Sequence, residues 1–399
     1  MDATTVTTVV VAAAVALVVA ALLGRRRSKP GAAIPLPRSR PSKVETQKTG
    51  QAYLVIGGHG FLGSHIVEAL LARGEEDVHI FDAVDSHLFK DEPNVSFIRG
   101  DILNEAHLYN ACCDRDVVFH TAAMLNYWSR LQHDFELVNK VNYVGTKNII
   151  EACHKTGVKK LLFPSSASIF VTSDTLRKPI RGLGEDKAVY PKDPLCHYTH
   201  TKMIAEKAVL AANDGPNGLL TGVIRPNAIY GPRDFFSKLI GTGYPGVGTL
   251  NNKQDYAYVE NVVHGFLKLE EKLAPGSPAA GQAYFISDDA PVEYFKFASQ
   301  FGRKFGHTFR IIPHYVATVL AHIVEFLARL TDGRLPLGQL TVLTPPTLVV
   351  SRAEYYFSVE KAKRDLGWRP LFTPDEGIDL SVRYYTAAAA PSPSDKKND

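Results

Sequence analysis

Tyr198 and Lys202 are the two residues of this chain whose types and spacing suggest a proton-transfer site. They lie four positions apart, so on a helix they share one face. An ammonium beside a phenol favours the phenolate, and the pair therefore predicts a tyrosine whose pKa is lowered from about 10. Such a tyrosine can take a proton from an alcohol or return one.

The spacing alone does not single out this pair, because Tyr143 and Lys147 repeat it. The elements around the two pairs differ. Ser165 and Ser166 follow an apolar strand, and ligands of open α/β sheets bind at the carboxyl ends of the strands. The helix after that strand carries Tyr198, whereas the helix before it carries Tyr143. The order of elements therefore favours Tyr198.

A glycine-rich turn from Gly57 to Gly63 follows the first strand and opens a helix. Glycines at 57, 60 and 63 permit a tight turn, close approach to a pyrophosphate and close packing of the helix on the strand. The first helical residues, Phe61 and Leu62, offer free N–H groups to the phosphates. The setting predicts a dinucleotide site.

Asp82 ends the second strand, nineteen residues after the last glycine of that turn. A carboxylate at this point accepts hydrogen bonds from both ribose hydroxyls and repels a 2′-phosphate, which predicts NAD in preference to NADP. Asp101, followed by Ile102, is placed to hydrogen-bond the adenine amino group. A carboxylate that caps its own loop is the alternative for Asp101.

Strands and helices alternate from Ala52 onward, which predicts an α/β fold with a Rossmann-type, doubly wound parallel sheet. We expect an NAD-binding domain over 51–225. A smaller lobe over 226–388 should mainly bind substrate, with a late strand of the large sheet near 283–286. Within that lobe, residues 312–330 have one polar stripe on an otherwise apolar helix. That helix either packs on the core, lies on a membrane or walls an apolar pocket.

The N-terminal segment differs in composition from the rest of the chain. Val6 to Leu23 carries no charge and is just long enough to span a bilayer, and Arg25, Arg26 and Arg27 follow it. We predict a transmembrane anchor over 1–27 that leaves the remainder in the cytosol. A cleaved signal peptide is the alternative, although its positive charge would precede the apolar run.

The segment after the predicted anchor and the C-terminal segment are both consistent with a membrane-anchored protein. Residues 28–50 are rich in proline and basic side chains and should form a linker. Residues 389–399 should be a disordered tail. Its lysines, Lys396 and Lys397, resemble the dilysine signal of endoplasmic reticulum membrane proteins, so we expect a single-pass protein of that membrane.

Composition excludes some function classes. Apolar residues make up 45% and charged residues 22% of the chain, as in ordinary globular proteins, and the net charge is +4. A nucleic-acid partner is therefore not indicated. The four cysteines have neither metal-ligand nor disulfide spacing, so we expect structural thiols and no metal.

Several motifs together resemble the extended short-chain dehydrogenase/reductase superfamily, over about residues 51–385. They are the glycine turn, Ser166 before Ala167, the Tyr198–Lys202 pair, and the segment that begins at Asn142. Within that superfamily, 163–170 and 225–234 look most like the 3β-hydroxysteroid dehydrogenase family.

The resemblance implies catalytic roles for Ser166, Tyr198, Lys202 and Asn142. It implies that Lys202 also holds the nicotinamide ribose and that Pro226 belongs to a loop closing over the nicotinamide. The cofactor-binding residues expected in all are Gly57, Gly60, Phe61, Leu62, Gly63, Asp82, Asp101, Ile102, Lys202 and Pro226.

The function that the resemblance implies is the NAD-dependent oxidation of a sterol. The 3β-hydroxyl of a 4α-carboxysterol would become a 3-ketone with loss of the carboxyl, in sterol biosynthesis. A 3β-hydroxy-Δ5-steroid dehydrogenase/isomerase and a nucleotide-sugar epimerase or dehydratase remain alternatives, and a silent NAD-binding scaffold is a third. Asn126, Tyr127 and Trp128 follow a strand end and either line an apolar pocket or form a surface loop. Oligomeric state is open, with a homodimer as one expectation.

Overall fold

Parallel strands form the framework of the protein in this computed structural model. The structure describes residues 43, 45–86, 88–215, 217–241, 243, 246–247, 251–308, 310–335, 340 and 342–389. The strands within these ranges are β1 (Tyr53–Ile56), β2 (Val78–Asp82), β3 (Val95–Arg99), β4 (Val117–His120), β5 (Lys160–Pro164), β6 (Ile180–Leu183), β7 (Leu220–Pro226), β8 (Ile229–Tyr230), β9 (Gly246–Val247), β10 (Lys253–Gln254), β11 (Ala257–Tyr258), β12 (Gln282–Ile286), β13 (Val292–Glu293), β14 (Ile311–Ile312) and β15 (Tyr355–Phe357).

Helices connect most of these strands. They are α1 (Phe61–Ala72), α2 (Glu105–Cys112), α3 (Gln132–Asn139), α4 (Gly145–Thr156), α5 (His197–Ala211), α6 (Phe235–Gly241), α7 (Val259–Lys272), α8 (Tyr294–Lys304), α9 (His314–Leu330), α10 (Pro345–Arg352), α11 (Glu360–Leu366) and α12 (Pro374–Ala389). Short 3₁₀ turns at Ala167–Phe170 and Ser173–Leu176 follow β5.

The large sheet has the strand order β12-β7-β5-β4-β1-β2-β3, and its neighbouring strands are all parallel. Tyr53 pairs with Val78 on one side and with Val117 on the other. The chain reverses its winding direction between β1 and β4, which places a ligand crevice at their carboxyl ends. This confirms the predicted Rossmann-type α/β fold, and β12 supplies the late strand.

Both faces of the sheet are covered, which explains why its strands are short apolar runs. Along β1, Tyr53 and Val55 belong to one core cluster, while Leu54 and Ile56 belong to a second. All four are fully buried. A strand with two buried faces reads as continuously apolar rather than alternating, and the β1 sequence YLVI has that pattern.

The helical segment between β4 and β5 is interrupted. The chain forms α3, then a π-helical turn at Lys140–Val144, then α4. A π turn accommodates an extra residue in a helix and is frequent at functional sites. Asn142 lies within this turn and is buried, so the interruption changes the direction of a predicted site residue.

Helix α9 agrees with the helical pattern predicted over 312–330. Its inner face is formed by Ala317, Ala321 and Val324, which are buried. Large apolar side chains also lie on its outer side, since Tyr315 is 66% exposed, Phe326 63% and Leu330 69%. The helix therefore packs on the core through small residues and presents large ones outward.

The predicted anchor over 1–27 and the tail over 390–399 lie outside the described residues, as does most of the linker. Of the helices that the structure does describe, none is both long enough and apolar enough to cross a membrane. The domain boundaries at 50, 225 and 388 stay predictions.

Candidate active site

Two glycines in the turn between β1 and α1 leave no space for a side chain. Gly57 has φ +82°, and a Cβ there would lie 2.6 Å from the backbone nitrogen of Ala122. A Cβ on Gly63 would lie 2.2 Å from the carbonyl oxygen of Gly57. The turn is also closed by a hydrogen bond from Gly60 N–H to the Gly57 carbonyl at 3.0 Å. Phe61 and Leu62 then begin α1, so their N–H groups point into the turn as predicted.

Asp82 sits at the end of β2, beside this turn. Its carboxylate accepts hydrogen bonds from the backbone N–H groups of His59 and Val84, each at 3.1 Å. One oxygen binds the glycine turn and the other binds the segment after β2, so the side chain is fixed at the edge of the crevice. Each carboxylate oxygen has a second lone pair, and these lone pairs suit the two ribose hydroxyls.

The remaining predicted cofactor residues lie along the same edge. Asp101 caps its own loop, because its carboxylate accepts from Leu103 N–H at 2.9 Å. Ile102 is nearly buried, and its carbonyl accepts from the Asn148 side chain at 3.1 Å. Pro226 is the last residue of β7 and is buried. The loop-capping alternative for Asp101 is thus the contact seen, and an adenine contact stays a prediction.

Tyr198 and Ser166 meet at the carboxyl end of β5. Ser166 follows the strand and caps the 3₁₀ turn, with its Oγ accepting from Ser168 N–H. Tyr198 lies in the first turn of α5, and a side-chain hydrogen bond from Ser166 stabilises its phenolate form. Tyr143 instead packs into the core cluster beneath the sheet. Of the two tyrosines, Tyr198 therefore lies beside the serine, and its catalytic role stays a prediction.

Burial raises the pKa of Tyr198 well above its ordinary value, and this is the reverse of the sequence-based expectation. The Ser166 hydrogen bond opposes that rise, but Lys202 has no resolved part in it. The expectation was wrong because spacing on a helix does not report burial, and desolvation of the phenolate exceeds the other effects. Without cofactor, Tyr198 is a protonated phenol.

Lys202 is almost completely buried, with 2% of its surface exposed. Burial lowers its pKa to about 7, and the carboxylate of Glu206, one turn further along α5, opposes that shift. Its ammonium lies 4.0 Å from the centre of the Phe163 ring, a cation–π contact with β5. Lys202 therefore stands next to the strand that carries the serines.

Asn142 connects the π turn to α5 and to the strand-end loop after β4. Its Oδ1 accepts from Met124 N–H at 2.7 Å, and its Nδ2 donates to the Met124 carbonyl at 3.0 Å and to Thr201 Oγ1 at 3.1 Å. The structure thus brings Asn142 to the helix of the Tyr198–Lys202 pair. The Asn142 side chain itself is occupied in holding a loop.

His120 ends β4 next to Lys202 and was not anticipated from sequence. Its Nε2 lies 2.8 Å from Thr146 Oγ1, whose own hydrogen goes to the Asn142 carbonyl at 2.7 Å. Burial first, and the Lys202 charge second, lower the pKa of His120 to about 3. His120 is therefore a neutral imidazole that donates from Nε2.

Two further hydroxyl groups adjoin the serine: that of Ser168, which sequence reasoning missed, and that of Tyr127, which it left between a pocket and a surface loop. Ser168 Oγ lies 2.7 Å from Ser166 Oγ and 2.6 Å from the Tyr127 hydroxyl. The Tyr127 ring also lies 4.7 Å from the Tyr198 ring, centre to centre. The position of Ser168, two residues past the strand end, was the available signal. Of the two alternatives for 126–128, Tyr127 therefore faces the candidate site.

The residues at the crevice fit NAD. The turn keeps its tight form because a Cβ on Gly57 or Gly63 would collide with protein atoms of the turn or of the loop after β4, and a tight glycine turn lets the backbone approach a pyrophosphate. The α1 N-terminus supplies N–H donors and a favourable dipole. The Asp82 carboxylate stands where a ribose diol would bind, and a 2′-phosphate there would be repelled.

The fold and this site define the class of protein, and comparison with known proteins narrows it. Residues 54–313 match the model of the 3-beta hydroxysteroid dehydrogenase/isomerase family. The chain is 36% identical over 341 residues to the Mus musculus protein "Sterol-4-alpha-carboxylate 3-dehydrogenase, decarboxylating", covering 83% of this chain and 90% of that protein. It is also 36% identical over 346 residues to the "3-beta-hydroxysteroid dehydrogenase" of Mycolicibacterium neoaurum, covering 84% and 91%.

The chain belongs to the 3-beta hydroxysteroid dehydrogenase/isomerase family. This confirms the family and the oxidoreductase class expected from its motifs. Among solved structures, the UDP-glucuronic acid 4-epimerase of Bacillus cereus with UDP-glucuronic acid and NAD matches with a TM-score of 0.65 at 20% identity, covering 84% of this chain and 99% of that one. A likeness at that identity shows the fold, and that solved relative holds NAD.

Proposed function

We propose that this protein oxidises the 3β-hydroxyl of a 4α-carboxysterol to a ketone, with NAD as the hydride acceptor and with loss of the 4-carboxyl. The observation that carries the chemistry is the placement of Tyr198 and Ser166 together at the end of β5. The substrate class is supported by the printed name of the mouse relative, which aligns over most of both chains.

The first step is a proton transfer at the C3 oxygen. Tyr198 would first release its own proton to solvent, and its phenolate oxygen would then accept the hydroxyl proton while Ser166 Oγ donates a hydrogen bond to the C3 oxygen. NAD, when bound, supplies the acceptor for the C3 hydride. Gly57, Gly63 and Asp82 would hold its pyrophosphate and ribose, and Lys202 would lie beside the nicotinamide ribose.

The second step is loss of the carboxyl group. Once C3 is a ketone, the C4 carboxylate is β to a carbonyl. The bond between C4 and the carboxyl carbon breaks, CO2 leaves, and the electron pair becomes an enolate on the C3 oxygen. Tyr198 is now a neutral phenol, so Tyr198 and Ser166 can both donate hydrogen bonds to that oxygen. Protonation at C4 then completes the ketone.

Product analysis tests this proposal. The purified protein is incubated with NAD and either a 4α-carboxy-3β-hydroxysterol or the same sterol without the carboxyl. We expect one NADH and one CO2 for each 3-ketosteroid formed from the first substrate. Formation of NADH only with the sterol that lacks the carboxyl would refute the decarboxylating assignment.

A 3β-hydroxy-Δ5-steroid is the second candidate substrate, favoured by the relative from Mycolicibacterium neoaurum, which is equally identical to this chain. Both reactions begin with the same proton transfer at a 3β-hydroxyl. They differ in the second step, because isomerisation moves a double bond and releases no gas. A third incubation, with a Δ5-3β-hydroxysteroid, therefore distinguishes the two reactions, because only the isomerase reaction would give a product with a shifted double bond.

We also propose that the protein is held in the endoplasmic reticulum membrane by 1–27, with its catalytic part in the cytosol. The support is the uncharged run from Val6 to Leu23 and the arginines after it. The exposed apolar residues of α9, Tyr315, Phe326 and Leu330, are suited to contact with the same membrane.

Cell fractionation of the full chain tests this location. We expect it in the membrane fraction, with its catalytic part open to protease added from the cytosolic side. Replacing Lys396 and Lys397 by alanine should redistribute the protein to later compartments. Recovery of the full chain in the soluble fraction would contradict the proposal.

A further inference from the structure

We propose that Tyr127 is a positioning residue of the active site, whose phenol hydroxyl orients and polarises Ser166 through Ser168. The inference rests on the proposed function, since it concerns the C3 oxygen of that reaction. Tyr127 lies in the loop that follows β4, at the carboxyl edge of the sheet. The sequence pattern left it between a pocket lining and a surface loop and gave it no part in the reaction.

Three hydroxyl groups form a continuous chain at this edge. The Tyr127 hydroxyl lies 2.6 Å from Ser168 Oγ, and Ser168 Oγ lies 2.7 Å from Ser166 Oγ. Ser166 also adjoins Tyr198, because it is among the groups that favour the Tyr198 phenolate. Ser166 and Ser168 are buried, at 8% and 4% exposed, so little water competes for these groups.

The direction of the chain follows from counting hydrogens. Each hydroxyl has one hydrogen to donate and two lone pairs to accept with. Ser166 Oγ already accepts from Ser168 N–H at 3.3 Å. If it also accepts from Ser168 Oγ–H, both lone pairs are used and its own hydrogen is directed into the crevice. Ser168 Oγ is then left to accept from Tyr127.

Tyr127 is suited to begin such a chain. A phenol is a stronger donor than an aliphatic hydroxyl because its pKa is much lower in water. Burial raises the pKa of Tyr127 above its ordinary value, so it keeps its hydrogen throughout the working pH range. A chain of hydrogen bonds with one direction polarises each member. Ser166 thereby becomes a better donor to the negative charge that develops on the C3 oxygen.

The Tyr127 ring also packs against the Tyr198 ring, at 4.7 Å between centres. If Tyr127 had only a structural role, that role would depend on the contact between the two rings. Tyr127→Phe keeps the ring and removes only the oxygen, so it separates the two roles. Ser168→Ala breaks the same chain at its next member and keeps the backbone N–H bond to Ser166.

The test is steady-state oxidation of the sterol at saturating NAD by Tyr127→Phe, Ser168→Ala and the double variant. We expect each single change to lower kcat about tenfold, less than the ~10²–10³ lost with a donor that touches an oxyanion directly. KM should change less than about twofold, because the chain strengthens in the transition state. The double variant should be no slower than either single one.

Tyr109→Phe is the matched control, since Tyr109 is a half-exposed tyrosine on α2 that lies outside the chain of hydroxyls. The kcat and KM of Tyr109→Phe should equal those of the wild type. The inference is overturned if Tyr127→Phe keeps kcat within twofold, if its loss appears in KM alone, or if the two single effects multiply in the double variant. Failure of the wild-type protein to oxidise any 3β-hydroxysterol would instead refute the proposed function.

Discussion

Replacing Tyr198 by phenylalanine removes one oxygen from the centre of the candidate site. The ring that packs on Tyr127 remains, and Ser166 keeps its hydrogen bonds to Ser168, so no buried polar group is left without a partner. The free energy of unfolding should therefore change by less than about 1 kcal/mol. The reaction loses its general base, which contributes about 10²–10⁴ in rate, or roughly 2.7–5.4 kcal/mol of barrier.

The assay follows NADH formation with the sterol, together with the Kd of NAD. We expect kcat to fall by at least about a hundredfold while the Kd stays within about twofold, because the glycine turn at Gly57 belongs to other elements. Tyr143→Phe is the matched control, with the same change at the same spacing from a lysine, and should keep nearly full activity. A Tyr198→Phe protein with more than a tenth of the wild-type rate would refute the assignment.

Three further changes test the framework of the site. Gly63→Ala should abolish NAD binding in a calorimetric titration, because its Cβ would lie 2.2 Å from the Gly57 carbonyl oxygen; retained affinity would contradict the pyrophosphate site. Asp255→Asn should flatten the pH dependence of stability. Burial raises the pKa of Asp255 to about 7, so the folded state binds its proton more tightly than the unfolded state. The free energy of unfolding of the wild type should therefore fall by about 1.6 kcal/mol between pH 5.5 and 7, and that of the variant should not, as measured by urea unfolding. Glu270→Ala should lower the free energy of unfolding by about 1–3 kcal/mol in the same assay, because the buried Arg73 guanidinium loses the carboxylate 2.8 Å away and keeps only that of Glu75 at 2.9 Å.

How far the site could be predicted depended on whether each residue acts through local or distant contacts. The glycine turn was predictable, because a strand, three glycines and a helix are neighbours in sequence and their geometry is local. Asp82 was predictable from its place at a strand end. The choice of Tyr198 over Tyr143 needed only the order of elements, since parallel strands align their carboxyl ends.

The hydroxyl chain could not be predicted in the same way. Tyr127 and Ser168 are 41 positions apart, and they meet because β4 and β5 are adjacent strands of the sheet. Spacing also gave the wrong direction for the pKa of Tyr198. Burial arises from every element that packs around a residue, and a five-residue motif contains no record of it.

The sequence by itself determined the alternation of strands and helices and the dinucleotide turn, and it predicted the reacting side chains, because each of these depends on neighbours along the chain. Only the tertiary structure decided the electrostatics of those side chains. It buries Lys202 to a pKa of about 7, raises the pKa of Tyr198, and places a third hydroxyl behind Ser166. These effects depend on distance and desolvation, which are set when separate elements pack against one another.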